Sequence, residues 1–273
     1  MDIDDILASV DRDDFSSPES TALDHQVLTR FWVAERAVSE LLPWPGALME
    51  RMMERVRKQI EIIEDLTASS SDPFSTSSSS TNINNPTLNL KLSILQTDLS
   101  RTQYLIRSLL RQRLSKLTKH SMHYLLLISP PRPSLSQSQS QQSDQRPEDS
   151  IPDPTTTTTI NPSPLSAQEA AFLHAHQTLL ASHYRSSFLN SFPPQLRRLD
   201  DNAGGTSMVQ GPETKEVVFV RCLAEEVSIV FPADEAAGFD EEEYGATMRI
   251  GEVWVVRWEG VKKAWERGEV EIL

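Results

Sequence analysis

FWVAERAVSELLPWPGALMERMMERVRKQIEIIEDL, residues 31–66, holds two helical periodicities separated by a proline corner. Val27, Phe31, Ala34 and Val38 recur at spacings of four, three and four, so they share one helix face. Leu48, Met52, Val56, Ile60 and Ile63 form a second stripe. Pro43 and Pro45 each lack an amide proton and restrict the residue before them, so one helix cannot run through. Trp44 stands at that corner, where a large apolar ring can wedge between two helices. The stretch therefore reads as a helical hairpin with one apolar seam, which further helices must cover.

Downstream, residues 68–87 are rich in Ser, Asn and Pro and read as a loop. From Leu88 to about Leu127 runs the longest helical segment, with Leu88, Leu92, Leu95, Leu99, Ile106, Leu110 and Leu117 in a near-heptad stripe broken between Leu99 and Ile106. Its second half carries Arg101, Arg107, Arg111, Arg113, Lys116 and Lys119 and no acid. Two readings stand for this helix 101–119. It is a solvated face with cations well placed near a helix C-terminus, or a contact surface for an acidic partner or a nucleic-acid backbone.

Residues 129–164 are low in complexity, with repeated Ser-Gln, a Thr run and many prolines, and read as a disordered insertion. A helix restarts at a Ser166/Glu169 capping box, with Leu165 before it. Phe172, Leu173, Leu180, Tyr184 and Phe188 mark it to about Phe192, and Pro193-Pro194 stops it. Residues 200–212 are a turn-rich linker.

From Thr214 the period shortens. Runs at 217–220, 227–231, 246–250 and 253–258 are β-branched or aromatic and bounded by Gly, Pro and acids, as strands are. Gly251-Glu252 predicts a hairpin between the last two, and Trp254 and Trp258 fall on one face of the final run. A short helix is expected over 261–267 and an edge strand over 270–273. The fold class is thus mainly α with an α+β arrangement: an N-terminal helical bundle, 22–199, then a small C-terminal β-rich domain, 213–273. A module of that size is near the lower limit for standing alone, so it leans on the helical domain or on a neighbour.

Residues 1–21 are an acidic segment and tether. Ile3, Ile6, Leu7 and Val10 make one narrow apolar face, and Asp2, Asp4 and Asp5 sit where a helix dipole favours negative charge. So short a helix is marginal in water. It is either a docking peptide that orders on a partner or the frayed start of the domain.

The chain has 273 residues and 38% apolar content, a deficit that the low-complexity stretches explain. Its net charge of −13 argues against a surface that binds nucleic acid throughout, though not against a local basic face. One cysteine, Cys222, excludes an internal disulfide framework and fits a reducing compartment. No run suggests a membrane span or a secretory signal. Phosphate loops, GxGxxG, GxSxG and HExxH are all missing, and the histidines lack metal-ligand spacing. The expectation is a protein without catalytic, cofactor or metal residues.

Several segments together resemble a known family. Trp32-Val33-Ala34-Glu35-Arg36, Glu40-Leu41-Leu42-Pro43-Trp44 and Gln59-Ile60-Glu61, then His183-Tyr184 through Phe192-Pro193-Pro194 and Leu196 to Asp201, are similar to the Sld-five-type subunits of the eukaryotic GINS complex. The resemblance covers most of the chain outside its low-complexity insertions. It implies a nuclear, non-enzymatic subunit of a heterotetramer with three other GINS subunits. That assembly joins the minichromosome-maintenance hexamer and its Cdc-forty-five partner as the replicative helicase, in initiation and elongation of DNA replication. Asp4-Asp5-Ile6-Leu7, with Val10, also resembles the peptide by which replisome proteins dock on the trimeric Ctf-four/AND-one hub. Trp32, Trp44, Arg107, Arg111, Tyr184 and Trp258 are the candidate subunit-interface residues. The alternative from another class is a DNA-binding module on the basic helix 101–119, with direct DNA contact weak or indirect in the complex reading.

Overall fold

The computed structural model describes residues 18–71, 86–128, 151, 164–193, 196–197, 199, 209–231 and 244–273. Among these residues the elements are α1 (Pro18–Ala37), α2 (Gly46–Ser71), α3 (Pro86–Lys119), α4 (Ser121–Ile128), α5 (Ala167–Ser187), β1 (Val217–Cys222), β2 (Glu226–Phe231), β3 (Tyr244–Arg249), β4 (Val253–Arg257), α6 (Trp258–Glu266) and β5 (Val270–Ile272). The class is mixed, helices first and a small antiparallel part last, as the change of period predicts.

The chain divides into two compact units. The first takes residues up to Ala34 and Pro45–Arg111; the second takes Glu35–Trp44 and Gln112–Leu273. The β-rich module therefore shares its unit with the proline corner and with helical segments. In the first unit, Leu28 and Ala34 of α1, Leu48, Met49, Met52 and Val56 of α2, and Ile106 and Leu109 of α3 are buried together with Thr102. Thr102 fills the gap that the leucine stripe leaves between Leu99 and Ile106. The stripe then passes through Leu109, not Leu110, which is 42% exposed. Asp24 of α1 pairs with Arg51 at 2.9 Å and Arg55 at 2.8 Å, and Ser20 accepts from Arg55 at 2.9 Å. Gln59 donates to the Leu95 carbonyl at 3.0 Å and so ties α2 to α3.

Several boundaries differ from the periodicity. α2 continues to Ser71 and α3 begins at Pro86, so both helices enter the stretch read as a loop over 68–87. The long basic helix is two helices, interrupted at His120, whose Nδ1 lies 3.1 Å from the Gln210 carbonyl. The insertion over 129–164 lies mostly outside the described residues, but Ile151 within it belongs to the fold. Ile151 packs against a buried cluster of Leu41, Leu117, Tyr124, Leu125, Leu165 and Leu173. Ser166 and Glu169 form the expected capping box of α5, which ends at Ser187 and gives way to a 3₁₀ turn, Leu189–Ser191.

In the β-rich part, β1 lies between β4 and β5 in one antiparallel sheet, and β2 pairs with β3 in a second. Val218, Val220 and Cys222 of β1 alternate inward with Val256, Val270 and Ile272 of its neighbours. Gly251 does make a tight turn: its φ is +82° and the Glu252 amide donates to the Arg249 carbonyl. It does not close a hairpin, however. β3 leaves it for β2 and β4 leaves it for β1. β5 is the expected edge strand, on β1. Trp258 is not the end of a strand but the first residue of α6, so it does not share a strand face with Trp254.

Candidate functional site

The second unit contains a charged cluster inside its core. Arg113, with no exposed surface, uses all five of its N–H donors. Its Nε and one Nη grip Glu169 at 2.7 and 3.0 Å. The remaining donors reach Glu35 at 3.0 Å, the Leu42 carbonyl at 2.8 Å and the Pro164 carbonyl at 2.9 Å. Its guanidinium also lies 5.1 Å from the centre of the Trp44 ring. Lys116 gives one proton to Glu35 at 2.7 Å and another to the Glu40 carbonyl at 2.8 Å. Two cations thus meet two carboxylates, and Glu35 has each oxygen occupied. Burial holds the Lys116 ammonium below its ordinary pKa, with Glu35 opposing that shift.

This arrangement fixes backbone; it leaves Arg113 no donor for a ligand. The Leu41 amide donates to the Tyr124 hydroxyl at 2.9 Å, and burial pushes that phenol up to about 12. The corner 35–44 is therefore held by side chains from α3, α4 and α5. The corner in turn holds the β-rich part. The Glu40 carboxylate accepts from the Trp258 indole at 2.8 Å and from Lys262 at 2.7 Å, and Ser39 bonds Glu216. Trp258 is 1% exposed.

The sequence-derived interface residues fall in several settings. Trp44 is half-buried beside the Arg113 guanidinium, and Trp258 is buried and bonded to Glu40, so both belong to this scaffold. Trp32 is half-buried and donates to Ser108 at 2.9 Å within the first unit. Tyr184 is half-buried and contacts His183 and Phe188. Arg107 and Arg111 are exposed on α3. Asp4, Asp5, Ile6, Leu7 and Val10 lie outside the described residues. Sequence reasoning missed Glu35, Glu40, Arg113, Lys116 and Glu169 as a set. It placed Arg113 and Lys116 on a charged outer face, and their burial removes both from any surface of helix 101–119. The available signal was positional, since Arg113 occupies the step after Ile106 and Leu109 on the core stripe.

Among the described residues, one apolar surface that remains open is on the α2–α3 hairpin of the first unit. Where α1 accompanies it, Met52, Val56, Thr102 and Ile106 are buried. Past the start of α1 near Arg55, the seam residues Ile60, Ile63, Leu66, Leu88, Leu92, Leu95 and Leu99 are only half-buried. Leu90 and Ile94 are more exposed still, at 62% and 59%. Two helices alone cannot enclose a seam. Completing the cover would gain on the order of 1 kcal/mol for each of these side chains. Among the described residues no helix is long and apolar enough to cross a membrane, and no cluster of His, Cys, Asp and Glu could hold a metal ion.

Comparison with known proteins places these features in context. Residues 56–188 match the family described as the GINS complex protein helical bundle domain, and residues 212–273 match the C-terminus of the DNA replication complex GINS protein SLD5. A relative from Chaetomium globosum, named DNA replication complex GINS protein SLD5, is 35% identical over the whole of both chains. Relatives of the same name from Yarrowia lipolytica and Debaryomyces hansenii are 30% and 28% identical. The first alignment covers 98% of this chain and 84% of the relative, and the second 100% and 98%.

Proposed function

The chain belongs to the Sld5 family of GINS DNA replication proteins, and on that premise we propose that it is a non-catalytic subunit of a heterotetramer with three other GINS subunits. Its work is assembly. The tetramer joins the minichromosome-maintenance hexamer and its Cdc-forty-five partner in the nucleus, as part of the helicase that initiates and extends chromosomal replication. The N-terminal peptide around Asp4-Asp5-Ile6-Leu7 tethers that particle to the trimeric Ctf-four/AND-one hub.

The observation that carries this reading is the graded burial of the α2–α3 hairpin. Its inner end is packed by α1, while its outer end leaves a seam of leucines and isoleucines half-covered. Obligate interfaces resemble a domain core cut in two. A seam of this kind is the half that one chain supplies. The test is hydrogen exchange at amides 57–71 and 87–100, in the full chain alone and co-purified with the other three subunits. Strong added protection in the assembly is expected. Equal exchange in both states would overturn the reading.

A further inference from the structure

The outer face of α3 carries a second stripe that the chain's own core does not use. Leu90, Ile94, Arg101, Tyr104, Arg107 and Arg111 are all exposed. Leu90, Ile94, Tyr104, Arg107 and Arg111 lie on the side of the helix away from Leu92, Leu99, Ile106 and Leu109, and Arg101, at the edge of that face, also lines a cleft with Met52, Val56 and Thr102. Leu90 and Leu92, for example, are about 200° apart around the axis. The stripe is apolar at its start, at Leu90 and Ile94, and then carries three arginines with Tyr104 among them, and the helix has no acid after Asp98. Asp98 itself accepts from Gln59 at 3.1 Å.

We propose that this face seats an apolar, acid-bearing helix from another subunit of the complex, with carboxylates meeting Arg101, Arg107 and Arg111 and apolar residues covering Leu90, Ile94 and Tyr104. The proposal rests on the subunit reading above and names the partner chemistry of one surface. Charge complementarity selects the occupant. A chain of net charge −13 repels an acidic partner over most of its surface and attracts it at a stripe of arginines. Planar guanidinium groups match carboxylates in two-pronged pairs. Tyr and Arg are the residues that interfaces favour. A nucleic-acid backbone would use the arginines but leave Leu90, Ile94 and Tyr104 without a role.

The experiment co-expresses the full chain with the other three GINS subunits and places a photoreactive benzoylphenylalanine at position 104. Cross-linking into a partner helix that carries Asp or Glu among apolar residues is the expected result. The Arg101→Glu/Arg107→Glu/Arg111→Glu variant should lose at least about tenfold in recovery of the partner subunits, the effect of roughly 1.4 kcal/mol. Reversing the cross-linked acids to Lys should restore recovery. Cross-linking to a basic segment or to a second copy of the chain would overturn the proposal. So would recovery of the charge-reversed variant at the level of the unaltered chain. Cross-linking of Tyr104's replacement to an added labelled DNA duplex, falling steeply with salt, would assign the stripe to a phosphate backbone instead. If the unaltered chain recovers no partner subunits, the subunit reading itself fails, and the proposal with it.

Discussion

Arg113→Met removes the centre of the buried charge cluster while keeping most of the side chain's length. Five hydrogen bonds disappear, to Glu35, Glu169, Leu42 and Pro164. Glu35, wholly buried, is left with Lys116 alone, and the cluster passes from neutral to one net negative charge in the interior. Breaking a buried pair in this way costs about 3–5 kcal/mol, because the surviving carboxylate can neither reach water nor find a new donor. For a unit of this size each kcal/mol is worth roughly 2–4 °C, so the melting temperature should fall by about 6–20 °C. Urea unfolding of the full chain, followed by tryptophan fluorescence, measures the change, since Trp44 lies against the lost guanidinium. Arg107→Met is the internal control: the same change on the same helix, but exposed, and expected to stay within about 0.5 kcal/mol. A loss below about 1 kcal/mol for Arg113→Met, or equal effects of the two, would refute the claim that Arg113 organises this core.

Trp258→Ala should cost about 3–5 kcal/mol, seen as faster proteolysis within residues 209–273, for a ring this fully buried. Trp258→Phe keeps much of the ring but loses the bond to Glu40, at about 1 kcal/mol; no difference from the unaltered chain would mean that bond is idle. Asp24 gives a pH signature. Its hydrogen bond from Arg51 holds the carboxyl below its ordinary 3.8 against the opposing effect of burial, so its stabilisation is present above that value and lost as pH falls through the lowered one. Asp24→Asn should therefore be less stable by under about 1 kcal/mol near neutral pH and equal to the parent in strong acid; a gap that persists there would contradict the pairing. Ile6→Ala with Leu7→Ala should abolish a hub affinity on the order of micromolar, about −8 kcal/mol, and leave assembly with the other subunits intact. Titration of both complexes against the purified hub checks this, and equal binding would sink the docking role.

Periodicity made the hairpin and the bundle legible because apolar residues at helical spacing have few other places to go. Its failures have specific causes. Leu109 and Leu110 are equally apolar, and only tertiary packing decides that Leu109 is buried while Leu110 is 42% exposed. Arg113 and Lys116 looked like surface charges because their neutralising partners are remote. Glu35 lies 78 residues from Arg113, and Glu169 lies 56 away. No local pattern shows such a pair. The Gly251 turn was legible, but a turn specifies a reversal of direction and not which strand pairs with which. Trp258 was mistaken for strand because Val253–Arg257 runs straight into it. The switch to helix comes where the Trp258 amide meets the Glu216 carbonyl and its indole meets Glu40. Both partners lie outside the run itself.

Native mass measurement tests the central claim most directly. The full chain is co-expressed with the three other GINS subunits and the purified particle is weighed intact. One copy of each subunit in a single species is the predicted result. A chain that purifies away from the other three subunits, with no common particle formed, would contradict the account.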